Sequence, residues 1–176
     1  MKKYELTEET KVIDGKTLFR IRALRSFGDI KAGDLGGFIE NERNLSHEGN
    51  AWVEDNARVD GDARVDGDAW VGDNAQVGGN AQVGGDAWVD GDAWVNGDGL
   101  INSNNDYLCE KGLGSHNRSA SFFKCKDGHI HVLCGCFSGN LDEFENKVKE
   151  EHGNSKYAKE YLGFIEVVKT HFEVCQ

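Results

Sequence analysis

Residues 50–97 read NAWVED NARVDG DARVDG DAWVGD NAQVGG NAQVGG DAWVDG DAWVNG, eight hexads of the form Asn/Asp-Ala-x-Val-x-x, and a degenerate ninth, DGLINS, follows at 98–103. A period of six does not fit a helix face, which repeats every 3.6 residues. Ala and Val lie two apart, so in an extended chain both point the same way and the residue between them points out. The positions after each Val are rich in Asp and Gly, which turn the chain. Each hexad is therefore one short strand and a corner. Stacking at a fixed period buries a core that no single unit could bury.

The pattern resembles the hexapeptide repeat of left-handed parallel β-helices. That resemblance implies triangular coils of three hexads, or 18 residues, so the nine hexads make three regular coils. Upstream, Ile39 and Leu45 are also six apart and begin an irregular first coil, shifted in phase by two residues. The Val row (Val53 to Val95) and the Ala row (Ala51 to Ala93) fill a narrow dry interior, with coils stacked roughly 4.8 Å apart. On the 18-residue period the outward residues form columns. Trp52, Trp70 and Trp88 stack as an apolar ladder on one face, a patch that either marks an interface or is covered by the chain's own C-terminal segment folding back over it. Arg58, Gln76 and Trp94 share the second face, and Arg64, Gln82 and Leu100 the third. The corners stack likewise: Asn50, Asp68 and Asp86; Asn56, Asn74 and Asp92; Asp62, Asn80 and Asp98. The Asn residues interrupt what would otherwise be like-charge ladders.

Both ends need caps. KVIDGKTLFRIRAL at 11–24 reads as a hairpin about Asp14-Gly15, and residues 1–38 form the N-terminal cap. The β-helix spans 39–103, and NNDYLCEKGLG at 104–114 reads as a connector. Residues 115–176 form a small ββαα module. Its hairpin, SFFKCKDGHIHVLC at 121–134, turns at Asp127-Gly128, and a two-residue turn sets Cys125 opposite Ile130 and Lys124 opposite His131. A capping box at Asn140 and Glu143 opens the first helix, with Leu141, Phe144 and Val148 as its apolar stripe. Gly153 ends it. Tyr157, Tyr161, Leu162, Ile165, Val168 and Phe172 mark the second. The expected fold is thus mainly β, a left-handed parallel β-helix with an N-terminal hairpin cap and a C-terminal α+β module.

The segments RIRALRSFGDIKAGDLGGFIENERNLSHEGNAWV (20–53) and CGCFSGNLDEFENKVKEEHG (134–153) resemble parts of small β-helix proteins of bacteria and their phages, which are described as transferases. That resemblance brings no established activity.

The net charge of −11 is unevenly placed. Residues 1–49 carry 9 acidic and 9 basic side chains, whereas residues 50–103 carry 11 acidic side chains against Arg58 and Arg64. Such a surface repels nucleic acid and attracts basic partners. No run of 18 apolar residues and no secretory pattern is present. The five unpatterned cysteines suit a reducing cytosol.

Several chemistries are disfavoured. The hexapeptide resemblance suggests CoA-dependent acyl transfer, but residues 50–103 hold neither His nor Lys, and their acidity repels CoA phosphates. His47 stands alone before the regular coils. The Asp-Gly-Asp triplets at 60–62, 66–68 and 90–92 match no calcium loop. Cys125, His129, His131, Cys134 and Cys136 are zinc-type ligands, yet the two-residue turn places the cysteines and histidines on opposite faces. Cys136 or Ser138 as a nucleophile lacks a base that the sequence can place, His116 and His152 included.

No catalytic, cofactor or metal residues are therefore assigned. The expectation is a non-enzymatic acidic binding protein, encoded by a phage or prophage and acting in the cytoplasm of the bacterial host. It would inhibit a host nucleic-acid-binding defence or restriction machine by occupying its basic groove. It would not itself bind nucleic acid or membrane. The expected partner-binding residues are Asp60, Asp62, Asp66, Asp68, Asp86, Asp90 and Asp92 with Trp52, Trp70, Trp88 and Trp94. A homo-oligomer, dimer or trimer, is also expected. The alternatives are a self-associating structural protein and the acyltransferase.

Overall fold

The structure is a computed structural model that describes residues 2–173; the last three residues of the expected C-terminal module lie outside them. It is mainly β, a β-solenoid of about four turns followed by a sheet and two helices. A long hairpin, β1 (Tyr4–Ile13) and β2 (Lys16–Ala23), leads to β3 (Leu35–Ile39). Nine two-residue strands follow: β4 (Trp52–Val53), β5 (Arg58–Val59), β6 (Arg64–Val65), β7 (Trp70–Val71), β8 (Gln76–Val77), β9 (Gln82–Val83), β10 (Trp88–Val89), β11 (Trp94–Val95) and β12 (Leu100–Ile101).

These strands pair in parallel with partners 18 residues away. One solenoid face is β4-β7-β10, with Trp52 opposite Trp70 and Trp70 opposite Trp88. A second is β5-β8-β11, which aligns Arg58, Gln76 and Trp94. The third is β6-β9-β12, which aligns Arg64, Gln82 and Leu100. Every Ala and Val of the repeat is buried. The strands are short because Val alone points in from each, and the corner begins at once. The irregular first coil lies in the expected phase: Ile39 pairs with Val59 and Leu45 with Val65, each 20 residues on. The two extra residues sit in the corner between Leu45 and Val53. The hairpin turns at Asp14-Gly15, with Ile13 opposite Lys16. It extends the second face into one six-stranded sheet, β1-β2-β3-β5-β8-β11, so β3 runs across the boundary expected at residue 38.

The solenoid's backbone bonds run from each coil's N–H groups to the next coil's carbonyls, as in Arg58 N to Ala75 O (2.9 Å) and Gln76 N to Ala93 O (2.9 Å). Carbonyls are thus orphaned at the first coil and N–H groups at the last, and buried orphans are costly. The three buried polar residues of the described chain, Lys3, Asn44 and Ser121, answer this. Lys3 Nζ donates to Ala51 O (2.7 Å) and Asn44 Nδ2 to Ala63 O (2.8 Å). Phe38 N donates to Ala57 O between them (2.9 Å). At the other end Ser121 Oγ accepts from Trp94 N (2.9 Å), and Asn104 Oδ1 accepts from Trp88 N (2.7 Å).

The C-terminal part departs from expectation. Residues 104–114 are not a connector. A 3-10 turn (Asn104–Asp106, capped by Ser103) leads into β13 (Tyr107–Leu113). β13 begins an antiparallel sheet, β13-β14-β15-β16, with β14 (Arg118–Lys124), β15 (Ile130–Cys134) and β16 (Phe137–Asn140). The module is therefore four strands and two helices rather than ββαα. α1 (Leu141–His152) starts at the Asn140–Glu143 capping box and stops at Gly153, as read; α2 (Lys156–His171) is capped by Ser155. One face of the sheet gives Phe123, Cys125 and Leu133 to the solenoid core. The other packs Ala120, Phe122, Ile130 and Val132 against Phe144, Val148, Tyr161 and Ile165 of the helices.

The hairpin register also differs. Lys124 pairs with Ile130 and Phe123 with His131, one residue away from the expected register. Cys125 N donates to His129 O (2.9 Å) and Gly128 N to Cys125 O (2.8 Å), so the loop is Lys126-Asp127-Gly128. Gly128 takes a positive φ of 89° at the end of this three-residue loop. A shift of one residue exchanges the faces, and the consequence falls on the histidines.

Candidate functional site

The tryptophan face comes first. The column is in register but is not uniformly exposed, which corrects the expected three-residue ladder. Trp52 is fully buried. Phe27 meets its indole edge-on at 5.4 Å, and the backbone at Gly36 lies so close that a Cβ there would come within 2.6 Å of Trp52 Cζ2. Trp70 is half-buried, and Trp88 is 54% exposed with its ring 5.9 Å from that of Trp70. Trp94, 41% exposed, belongs to the neighbouring face.

Two acidic corners border the Trp70–Trp88 pair. One carries Asp66, Asp68 and Asp86, all exposed. Asn50 Nδ2 donates to Asp68 Oδ1 (2.9 Å), so one amide interrupts that column while Asp68 and Asp86 follow each other as carboxylates. The other carries Glu54, Asp55, Asp73, Asp90 and Asp92. Burial holds Glu54 above the ordinary carboxylate range, and Asp55, Asp34 and Asp73 push it the same way, the signature of clustered negative charge. Lys111 neutralises one end by pairing with Asp92 (2.7 Å). Trp88 and Asp90 also wall an open cleft of about 520 Å³ with Asn104, Tyr107 and His171. Asp60 and Asp62 lie on the third corner, away from this face. Asp60 is half-buried and ion-paired with Lys16, so it is no free anion.

The second place is the β14–β15 turn. The register shift puts Cys125, His129 and His131 on one face, contrary to the sequence reading, with their ligand atoms all within 4.8 Å of one another. His129 Nε2 and His131 Nδ1 are 3.5 Å apart. On its outer side His129 Nδ1 meets the Asp127 carboxylate (2.5 Å), and His131 Nε2 meets Ser138 Oγ (2.9 Å). Ser138 thus has an imidazole beside it, His131, which the sequence could not place. Burial, with the fields of Asp127 and Asp98, pushes the Cys125 thiol up to about 11. Burial and the neighbouring His129 hold His131 below its usual value. Cys134 and Cys136 take no part: Cys134 faces the helices beside Tyr161 (4.0 Å), and Cys136 is exposed.

The third place is a cleft of about 290 Å³ beside the helices, lined by Cys136 together with His116, Arg118, Lys147 and His152. His152 is spent in stacking on Tyr161, at 5.6 Å and 18°. Among the described residues no hydrogen bond joins Cys136 to an imidazole. His47 stacks on Tyr4 at 4.3 Å and accepts from Lys3 N (3.3 Å). It serves the N-terminal cap.

No family model matches the chain, and no curated protein matches it. Among the described residues no helix is long and apolar enough to cross a membrane.

Proposed function

We propose that the protein is a non-enzymatic acidic binding protein, and that its solenoid is a left-handed parallel β-helix of the hexapeptide class. The observation that carries this reading is the Trp70–Trp88 pair, its rings 5.9 Å apart and tilted at 40°, bordered on both sides by carboxylates. An indole face attracts a cation, and flanking carboxylates strengthen that attraction. The complementary surface is basic and rich in Arg or Lys, which describes a groove built for nucleic-acid phosphates. A host nucleic-acid-binding machine in the bacterial cytoplasm, blocked by a phage or prophage product, fits that chemistry. The regular coils, residues 50–103, hold no imidazole for acyl transfer, and His47, just before them, is stacked on Tyr4, so the site gives the acyltransferase reading no support.

The test compares wild type with Trp88→Ala and with Asp86→Lys/Asp90→Lys as bait in a bacterial lysate at low and high salt. The expected result is a nucleic-acid-binding protein that wild type retains, both variants lose, and salt of about 0.5 M releases. The purified partner should lose its nucleic-acid binding when wild type is added. Retention that ignores salt and both variants overturns the reading. A defined oligomer of wild type that both variants convert to monomers would assign the face to self-association instead.

A further inference from the structure

We propose that Cys125, His129 and His131 form a zinc site with three protein ligands at the junction of the C-terminal sheet and the last solenoid coil. The argument begins with hydrogen positions. The Asp127 carboxylate can only accept, so His129 Nδ1 carries the proton and Nε2 presents its lone pair inward. Ser138 Oγ can accept as well as donate; in the tautomer in which His131 Nε2 donates to it, His131 Nδ1 also presents its lone pair inward. Two lone pairs then face each other across 3.5 Å. Without a cation between them they repel; with one they chelate. Two nitrogens bound to a single tetrahedral zinc at about 2.0–2.1 Å stand roughly 3.3–3.4 Å apart, close to what the hairpin already holds.

The outer contacts have the form that metal-binding histidines use, each ring's second nitrogen anchored to a carboxylate or a hydroxyl. Cys125 supplies the third donor from the start of the same turn, within 4.8 Å of the others. Thiolate and imidazole together select zinc over calcium or magnesium. Binding releases the thiol proton of Cys125 to solvent as the Zn–S bond forms. The three ligands line an open cleft with Asn96, Asp98, Asn140 and Glu143. Water or a carboxylate from that cleft completes the fourth position. Because Lys126 N already donates to Asp98 O (3.0 Å) beside the turn, the ion would lie where the module joins the solenoid.

The full-length protein is stripped with a chelator and titrated with zinc alone, then with cobalt(II) as a spectroscopic substitute. The expected result is one equivalent of zinc bound with Kd below about 1 μM. The cobalt form should show a thiolate-to-cobalt charge-transfer band and strong visible bands of a tetrahedral ion. His129 is exposed, so His129→Ala leaves the fold intact and should weaken zinc binding at least 100-fold. Cys125→Ser should remove the charge-transfer band. Asp127→Asn should weaken binding roughly 10-fold, as loss of an outer-shell partner does. Cys136→Ser should change nothing. Absence of stoichiometric zinc overturns the proposal, and so does binding that survives both Cys125→Ser and His129→Ala. Either result leaves the turn as an ordinary hydrogen-bonded chain from Asp127 to Ser138.

Discussion

At the residue scale, Lys3 shows how a solenoid end imposes its own chemistry. Its side chain is fully buried, with Nζ donating to Ala51 O and lying 5.0 Å from the centre of the Phe27 ring. Burial, with Arg25 adding to it, brings its pKa down to about 8. An unfolded chain holds that proton until near the ordinary value of about 10.4. Between the two values the unfolded state binds more protons, so the contribution of Lys3 to stability rises with pH. Measured as the difference in unfolding free energy between wild type and Lys3→Met, it should grow from pH 8 towards pH 10 by at most about 1.4 kcal/mol per pH unit. Below pH 8 the difference should be flat. The tyrosines act in the opposite sense: burial pushes Tyr107 up to about 12 and raises Tyr4 as well, so their stabilisation is lost only above pH 10. A difference that stays flat between pH 8 and 10 in urea titrations would show that Lys3 is held charged.

At the element scale, the strands explain what could be read in advance and what could not. The period of six gave Trp52, Trp70 and Trp88 their common column, because strand register follows directly from repeat length. It said nothing of what lies over the column. Phe27 and Gly36 come from an irregular, glycine-rich stretch with no period, and only tertiary contact brings them onto Trp52. The same limit governs the candidate metal site. Whether Asp127-Gly128 closes a two- or a three-residue loop is decided by backbone angles at Lys126 and Gly128, and that single residue moves both histidines to the Cys125 face. β13 escaped notice because YLCEKGL is half-exposed and broken by Gly112, the mark of an edge strand rather than a buried one. The column itself yields a contrast. Trp52→Ala should cost about 3–5 kcal/mol, as loss of a large core side chain does. Trp88→Ala, on an exposed ring of the same column, should change stability by no more than about 0.5 kcal/mol while weakening partner binding. Equal losses in chemical denaturation would mean that the two rings are equally packed.

At the scale of the whole molecule, the middle of the rod is interchangeable and its ends are not. Each inner coil is satisfied by its neighbours, whereas the last coil depends on groups from far along the chain. Ser121 Oγ takes the Trp94 N–H, and Phe123, fully buried, closes the core above Gly99, whose Cβ would lie 3.1 Å from its ring. The C-terminal sheet is therefore a lid on an edge that would otherwise pair with another copy. Phe144 is a fair comparison, because it is buried on the far side of that sheet among the helices. Phe123→Ala and Phe144→Ala should each cost about 3–5 kcal/mol. Only Phe123→Ala should loosen the lid and expose the unpaired N–H row of the last coil. Light scattering against protein concentration should then show association for Phe123→Ala alone, and because Lys3, Asn44 and Phe38 still close the first coil of every copy, it should stop short of the open head-to-tail growth that two bare ends would give. If both variants remain monodisperse under conditions where both are destabilised, capping rests on the backbone and side-chain hydrogen bonds of Ser121 and Asn104, and not on the packing of Phe123.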